Sequence, residues 1–339
     1  MNDVARAEHN GVEAAPNAVR SSMLTRSIVH LANSRATMLF MLIVLLAAGM
    51  TILYPNNFPT RYNMSAVLLN AAQNGILVAG MMLLMIAGAF DLSIGSTLAL
   101  AGVWSGVAVG WWHWPPELGA LVGIAVGLLA GLVNGLIVTR LGINALIATL
   151  ATLTIYRGLT YLTAGTGVTP ISDSFKLYGQ SVFFGIQTPF WVMLAVVLVG
   201  GWAVAKTRFF RQYYFIGGNA RAAKLSGIRV ERLSLIAFLI MGGLAGLAGV
   251  LGASRLNSAV VSAGIGVELS VITATVLGGA SLKGGEGNVL GGVLGVLFIA
   301  LVQNAMIING IGIFWQPIIV GLVLLLAVSL DRFKRGQRG

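Results

Sequence analysis

Ten stretches of this chain are apolar over most of the length needed to cross a lipid bilayer, and that leaves few folds open. A crossing helix needs about 20 mostly apolar residues, and every backbone polar group in lipid must be satisfied internally. The candidate segments are residues 36–54, 65–88, 92–110, 118–139, 143–163, 190–205, 233–252, 267–280, 288–308 and 315–330. Segment 267–280 is short for a full crossing and reads as broken or re-entrant. The expected fold is an all-α integral membrane protein of about ten transmembrane helices, some short or broken. Composition points the same way: of 339 residues, 57% are hydrophobic and 9% charged. A soluble domain carries roughly a quarter of its residues as charged side chains.

The charges that remain are distributed by side. Placing the N-terminus inside and alternating the loops puts seventeen of the 21 Lys and Arg inside. Three (Arg61, Lys176 and Arg255) fall outside, and Arg157 falls within a span. Such an asymmetry is the positive-inside signal, so the net charge of +11 reports orientation rather than nucleic-acid binding. Both termini are then cytoplasmic. Trp111, Trp112 and Trp114 sit at the outer interface, where indole rings anchor. The polar stretch 1–35 is too long to precede a cleaved signal and is expected to be a cytoplasmic tail, disordered at least to Arg20. The membrane domain is 36–330, and 331–339 is a basic cytoplasmic tail.

Glycines recur at every fourth residue at Gly123, Gly127, Gly131 and Gly135, and again at Gly287, Gly291 and Gly295. Small residues at this spacing let helix backbones approach closely in lipid. They predict tight packing, not chemistry.

The inside loop 206–232 holds seven cations and one acid, Glu231. Gly217-Gly218 reads as a flexible break, Asn219 as an N-cap and Gly227 as a C-terminal stop. Between them, Ala220–Ser226 is expected to form a helix of about two turns, with Ala222, Ala223 and Leu225 as its apolar side. From the residues alone this is either a solvated loop that sets topology or a docking helix for a soluble partner.

Three strings in order carry a resemblance. Residues 217–228, GGNARAAKLSGI, resemble the coupling-helix motif of sugar permeases in ATP-binding cassette importers. Residues 88–102, GAFDLSIGSTLALAG, are similar to a signature of that family, with Ala89-Phe90 where the family has Gly-Ile. Residues 278–295, GGASLKGGEGNVLGGVLG, resemble its late glycine-rich loop. The branch most resembled carries ribose, xylose, arabinose and related small polyols. The resemblance implies a multi-pass permease of the bacterial inner membrane, present as a homodimer or heterodimer. It also implies cytoplasmic ATP-binding subunits and an extracytoplasmic sugar-binding protein as partners. The coupling residues it implies are Gly217, Gly218, Asn219, Ala222, Ala223, Leu225, Ser226 and Gly227. No G-x-x-x-x-G-K-[ST] string occurs, so ATP and Mg are expected on the partner, with no cofactor on this chain.

Polar side chains inside spans are the candidate path for substrate. Asn70, Gln73 and Asn74 stand at i, i+3 and i+4 and are read as one face of the second span, able to donate to and accept from sugar hydroxyls. Gln303 and Asn304 lie deep in the ninth span, and Asn134, Asn144 and Thr149 are scattered through the fourth and fifth. Asp91 opens the third span as an N-cap or first-turn acid, either structural or gating. Each of these has interhelical packing as its plain alternative, and Arg157 is read as snorkelling to the outer interface. His9, His30 and His113 lack metal-ligand spacing, and there is no cysteine. No catalytic residues and no metal site are therefore expected, which excludes an enzyme on this chain. The alternatives are an ion-coupled secondary transporter using Asp91, Glu268 or Glu286, and a branched-chain amino-acid permease of the same importer class.

Overall fold

The computed structural model describes residues 35–312 and 314–336; the expectation for the tail 1–34 lies outside the described residues, as do 337–339. Among the described residues, eight helices are long and apolar enough to cross a membrane. Six are α1 (Arg35–Leu53), α2 (Arg61–Ile86), α3 (Ile94–Gly106, prolonged by a π-helical turn Val107–Trp111), α4 (Pro116–Thr139), α5 (Ala145–Ala164) and, after further elements, α7 (Thr188–Lys206). Between α5 and α7 lie a one-turn α6 (Leu177–Gln180) and a hairpin of β1 (Val182–Phe183) and β2 (Ile186–Gln187). Two helices lie between spans, α8 (Arg208–Gly218) and α9 (Ala220–Leu225). The remaining spans are α10 (Val230–Leu256) and α12 (Val289–Ile308), with the shorter apolar α11 (Val267–Leu277) and α13 (Trp315–Gly336), whose helix runs on past the expected start of the basic tail.

The centre of the bundle is the inner half of α2. From Gly75 to Ile86 every residue is buried, as a helix apolar on all sides must be. The glycine row of α4 meets a second row on α10. A Cβ at Gly127 would run into the Gly242 carbonyl and Gly246, and one at Gly131 into the Phe238 carbonyl. On α12, Gly291 and Gly295 admit the backbone of α11 at Gly278 and Ala274 in the same way.

The expected break at segment 267–280 takes the form of a non-helical stretch followed by a half-length helix. α10 ends at Asn257 in the left-handed conformation (φ 48°), and the chain turns back into the bundle. Ala259 packs on Gly106, and five residues later Gly264 packs on Gly95. The segment therefore descends alongside α3 by about 16 Å before α11 begins. Non-helical backbone at this depth must be sheltered from lipid and satisfied by protein. Part of that work falls to Arg157, which donates from Nη1 to the carbonyls of Val261 (2.6 Å) and Ala263 (2.9 Å). Arg157 thus reaches across to the re-entrant chain rather than snorkelling outward.

Candidate translocation site and coupling surface

Two clusters of amides predicted on separate helices converge on one cavity of about 590 Å³. Asn70 and Asn74 of α2 face Gln303 and Asn304 of α12 across it, with Arg255 of α10, Ser270 of α11 and Gln316 of α13 completing the polar wall. The Asn70 Nδ2 donates to Gln303 Oε1 at 3.1 Å. Nearer the outer end of α2, Asn63 and Asn304 exchange two amide hydrogen bonds of 3.1 and 2.6 Å. Asn63 was legible as a candidate, since it lies seven residues before Asn70 and so on the same helix face. The cavity sits in the half of the bundle remote from α9. The buried stretch Gly75–Ile86 closes it on the other side.

Gln73 does not join this cavity. It lines a smaller one, about 210 Å³, with Leu98, Gly102 and Gly249. Residues i+3 and i+4 flank the i position on opposite sides, so neighbours Gln73 and Asn74 point about 100° apart. Asn70 and Asn74 share a wall, and Gln73 turns to α3.

Asp91, Asn134 and Tyr156 form a separate buried cluster. The Asp91 carboxylate accepts from the Ser93 amide (2.8 Å), the Ser93 hydroxyl (2.6 Å) and Asn134 Nδ2 (3.1 Å). Asn134 also donates to Ser93 Oγ (2.8 Å) and accepts from the Tyr156 hydroxyl (3.1 Å). Asp91 is 2% exposed and Asn134 fully buried, so this network ties α3, α4 and α5 together away from the amide cavity. Asp91 lies three residues before the first residue of α3 and turns the chain into it, rather than sitting in its first turn. Asn144 stands before α5 as its N-cap, its side-chain oxygen accepting from the Leu146 amide at 2.9 Å. Thr149, buried, donates to its own helix at Ala145. Neither Asn144 nor Thr149 reaches the amide cavity.

At the opposite end, α9 has the predicted caps. Asn219 Oδ1 accepts from the Ala222 amide at 3.0 Å, and Gly227 has φ +84°. Ala223 is the residue buried against the bundle, while Ala222 and Leu225 face outward, Leu225 being 85% exposed. Ser226 closes the helix, its hydroxyl donating to the Ala222 carbonyl at 3.0 Å.

The break expected at Gly217-Gly218 is not there. Both residues are the last turn of α8, and the chain departs from helix at Asn219. α8 itself went unread because its charges masked an apolar face of Phe210, Tyr213 and Ile216 at three-residue spacing. It is a strap. Tyr213 donates to the Leu233 carbonyl at the start of α10, and Tyr214 to the Gly287 carbonyl before α12, both at 2.9 Å. Burial pushes both phenols above their usual range, which keeps them as donors.

Gly217 belongs instead to a backbone joint in which all three glycine-bearing strings meet. A Cβ there would strike the Ile86 carbonyl and the Gly285 amide. A Cβ at Gly284 would lie 2.9 Å from the Cα atoms of both Gly217 and Gly88. The Gly285 amide donates to the Ile86 carbonyl at 2.9 Å. Gly88 (φ +82°) and Gly284 (φ +89°) also need the left-handed region that side chains avoid. The strings 88–102, 217–228 and 278–295 thus touch at the root of α9.

A short echo links the two helices that flank the cavities. Asp91-Leu92-Ser93-Ile94 leads into α3 from the α9 side, and Glu268-Leu269-Ser270-Val271 opens α11 from the other side. Such opposed repeats are a device of transporter folds, and this pairing was available in the sequence.

A many-helix membrane bundle with a polar cavity at one end and a short capped helix between spans at the other has the build of a transport permease. The chain belongs to the family described as the permease component of branched-chain amino acid transport systems, which matches residues 63–328. It is 41% identical over 282 residues to the L-arabinose transport system permease protein of Escherichia coli K12, covering 82% of this chain and 85% of that one. It is 39% identical over 305 residues to the ribose import permease protein of Bacillus subtilis 168, covering 87% and 91%. An L-arabinose ABC transporter permease of Azospirillum brasilense is 36% identical over 300 residues, covering 88% of each. No solved structure matches the chain. The chain is a multi-pass protein of the inner membrane.

Proposed function

We propose that this chain forms the path through which an ATP-binding cassette importer carries a monosaccharide or small polyol. The observation that carries the reading is the amide cavity: about 590 Å³, within the range of small-molecule sites, and walled by Asn70, Asn74, Gln303 and Asn304. Carboxamides both donate and accept, as hydroxyl-rich solutes require, and a few neutral hydrogen bonds hold a solute weakly enough to release it. Sugar is handed over at the outer face by an extracytoplasmic binding protein. ATP and Mg are used by cytoplasmic subunits that seat on α9, and a second permease copy completes the assembly. Closure of those subunits pulls α9 and, through the Gly88–Gly217–Gly284 joint, shifts the inner ends of α2, α3 and α12.

The test is uptake in proteoliposomes holding the permease, its ATPase and its binding protein, with L-arabinose and D-ribose as probes. ATP-dependent uptake of one of them is expected. The double variant Asn70→Leu, Gln303→Leu should lower it at least tenfold while ATPase binding persists. Uptake that survives without ATP and collapses with an ion gradient would replace this reading with a secondary transporter.

A further inference from the structure

Between the amide cavity and the outer surface stands a cation with no partner for its charge among the described residues. A second space, about 770 Å³, opens outside the first and is lined by Arg61, Tyr62, Ser65, Gln180 and Gln187. Two residues line both spaces, Ala66 and Arg255, and only the second has a functional group to offer a solute. Arg255 is held by its backbone: its carbonyl accepts from Gln180 Nε2 at 2.8 Å, and Gly179 packs against its amide. Among the described residues, no salt bridge and no side-chain hydrogen bond engages its guanidinium. Every other polar side chain of the inner cavity is neutral.

A cation with five donors, anchored by its backbone and exposed at the junction of two otherwise neutral-walled or cationic spaces, acts on what passes by charge. We infer that Arg255 is the throat residue of the path, the specificity determinant that admits neutral polyols and sugar acids and turns back cationic solutes such as amino sugars. Its donors meet hydroxyl and carboxylate oxygens during the hand-over from vestibule to cavity. The inference deepens the proposed function and rests on the amide cavity being the path.

The chain has no cysteine, so Gln303→Cys places the permease's sole thiol inside the cavity. In right-side-out vesicles holding the assembled importer, the rates of its modification by an anionic (sulfonatoethyl) and a cationic (trimethylammonioethyl) methanethiosulfonate are compared. With Arg255 present the anionic reagent should react about tenfold faster relative to its rate with free thiol, and the ratio should fall toward one as salt rises from about 0.01 M to about 1 M. Arg255→Gln should abolish the ratio and Arg255→Lys keep it. Equal rates in the presence of Arg255, a ratio unmoved by salt and by Arg255→Gln, or an introduced thiol that neither reagent reaches would overturn the throat. ATP-dependent uptake of L-arabinose and D-ribose by the cysteine-free permease is read separately. Charge-selective labelling with uptake of neither sugar would leave the throat standing and strike down the sugar reading.

Discussion

The two ends of this bundle are built from different parts of the chain. The amide cavity is made by side chains: Asn70 and Asn74 of one helix face Gln303 and Asn304 of another, and the Asn70–Gln303 hydrogen bond crosses between them. The joint beneath α9 is made by backbone, where Gly88, Gly217, Gly284 and Gly285 touch with nothing between them. A solute site must leave volume and exchange partners, so it tolerates loose packing. A joint that passes displacement must have no slack, because close-packed backbone transmits movement that a compressible side chain would absorb.

Breaking the joint should therefore have the largest effect. Gly217→Val places atoms on the Ile86 carbonyl and Gly285 amide and is expected to cost more than about 3 kcal/mol. Its neighbour sharpens the point, because Gly218 has nothing within 4 Å of a Cβ. Gly218→Ala should leave thermal unfolding in detergent within about 2 °C of wild type while Gly217→Val fails to yield folded permease. Equal tolerance at both sites would end the idea of a tight joint.

The clasp on the re-entrant chain should come second. Arg157→Leu removes the donor to Val261 and Ala263 and leaves two sheltered carbonyls unpaired, at about 1–3 kcal/mol each. The expected result is a lower unfolding temperature together with new labelling of a single cysteine introduced by Val261→Cys; Arg157→Lys should recover part of both. An unchanged labelling pattern would show that the re-entrant segment holds without its clasp.

The smallest effect on stability, with a full effect on assembly, is expected at the exposed side of α9. Leu225→Glu alters a side chain 85% exposed and should shift unfolding by less than about 0.5 kcal/mol. It should nonetheless lose the ATPase subunits on co-purification. Retained ATPase would move the docking surface away from α9. Ala223, buried beneath the same helix, is the wrong residue for this test because its loss confounds folding with docking.

Much of the architecture was legible because its signals are local. Apolar length marks the spans, and Asn219 with Gly227 delimits α9 through hydrogen bonds only a few residues long. Reading α8 as loop failed where charge at Arg208 and Arg211 outweighed the periodicity of the aromatics beside them. Of the polar residues singled out, Asn70, Asn74, Gln303 and Asn304 were brought to one cavity. Asp91 and Asn134 were brought to another place altogether, and Asn144 to a helix cap. Nothing in spacing separates these outcomes, since every one is an amide or acid in or beside an apolar helix.

By itself the sequence determined that this chain lives in a bilayer, where its apolar spans lie, and where the short helix α9 begins and ends. Hydropathy and capping each act over a turn or a span and need no partner. Only the tertiary structure decided that Asn70 meets a residue 233 positions away, that Arg157 holds a re-entrant chain, and that Arg255 faces two cavities at once. Those facts depend on which helix lies against which. In lipid that choice is made by backbone fit and interhelical hydrogen bonds, which no single stretch of sequence contains.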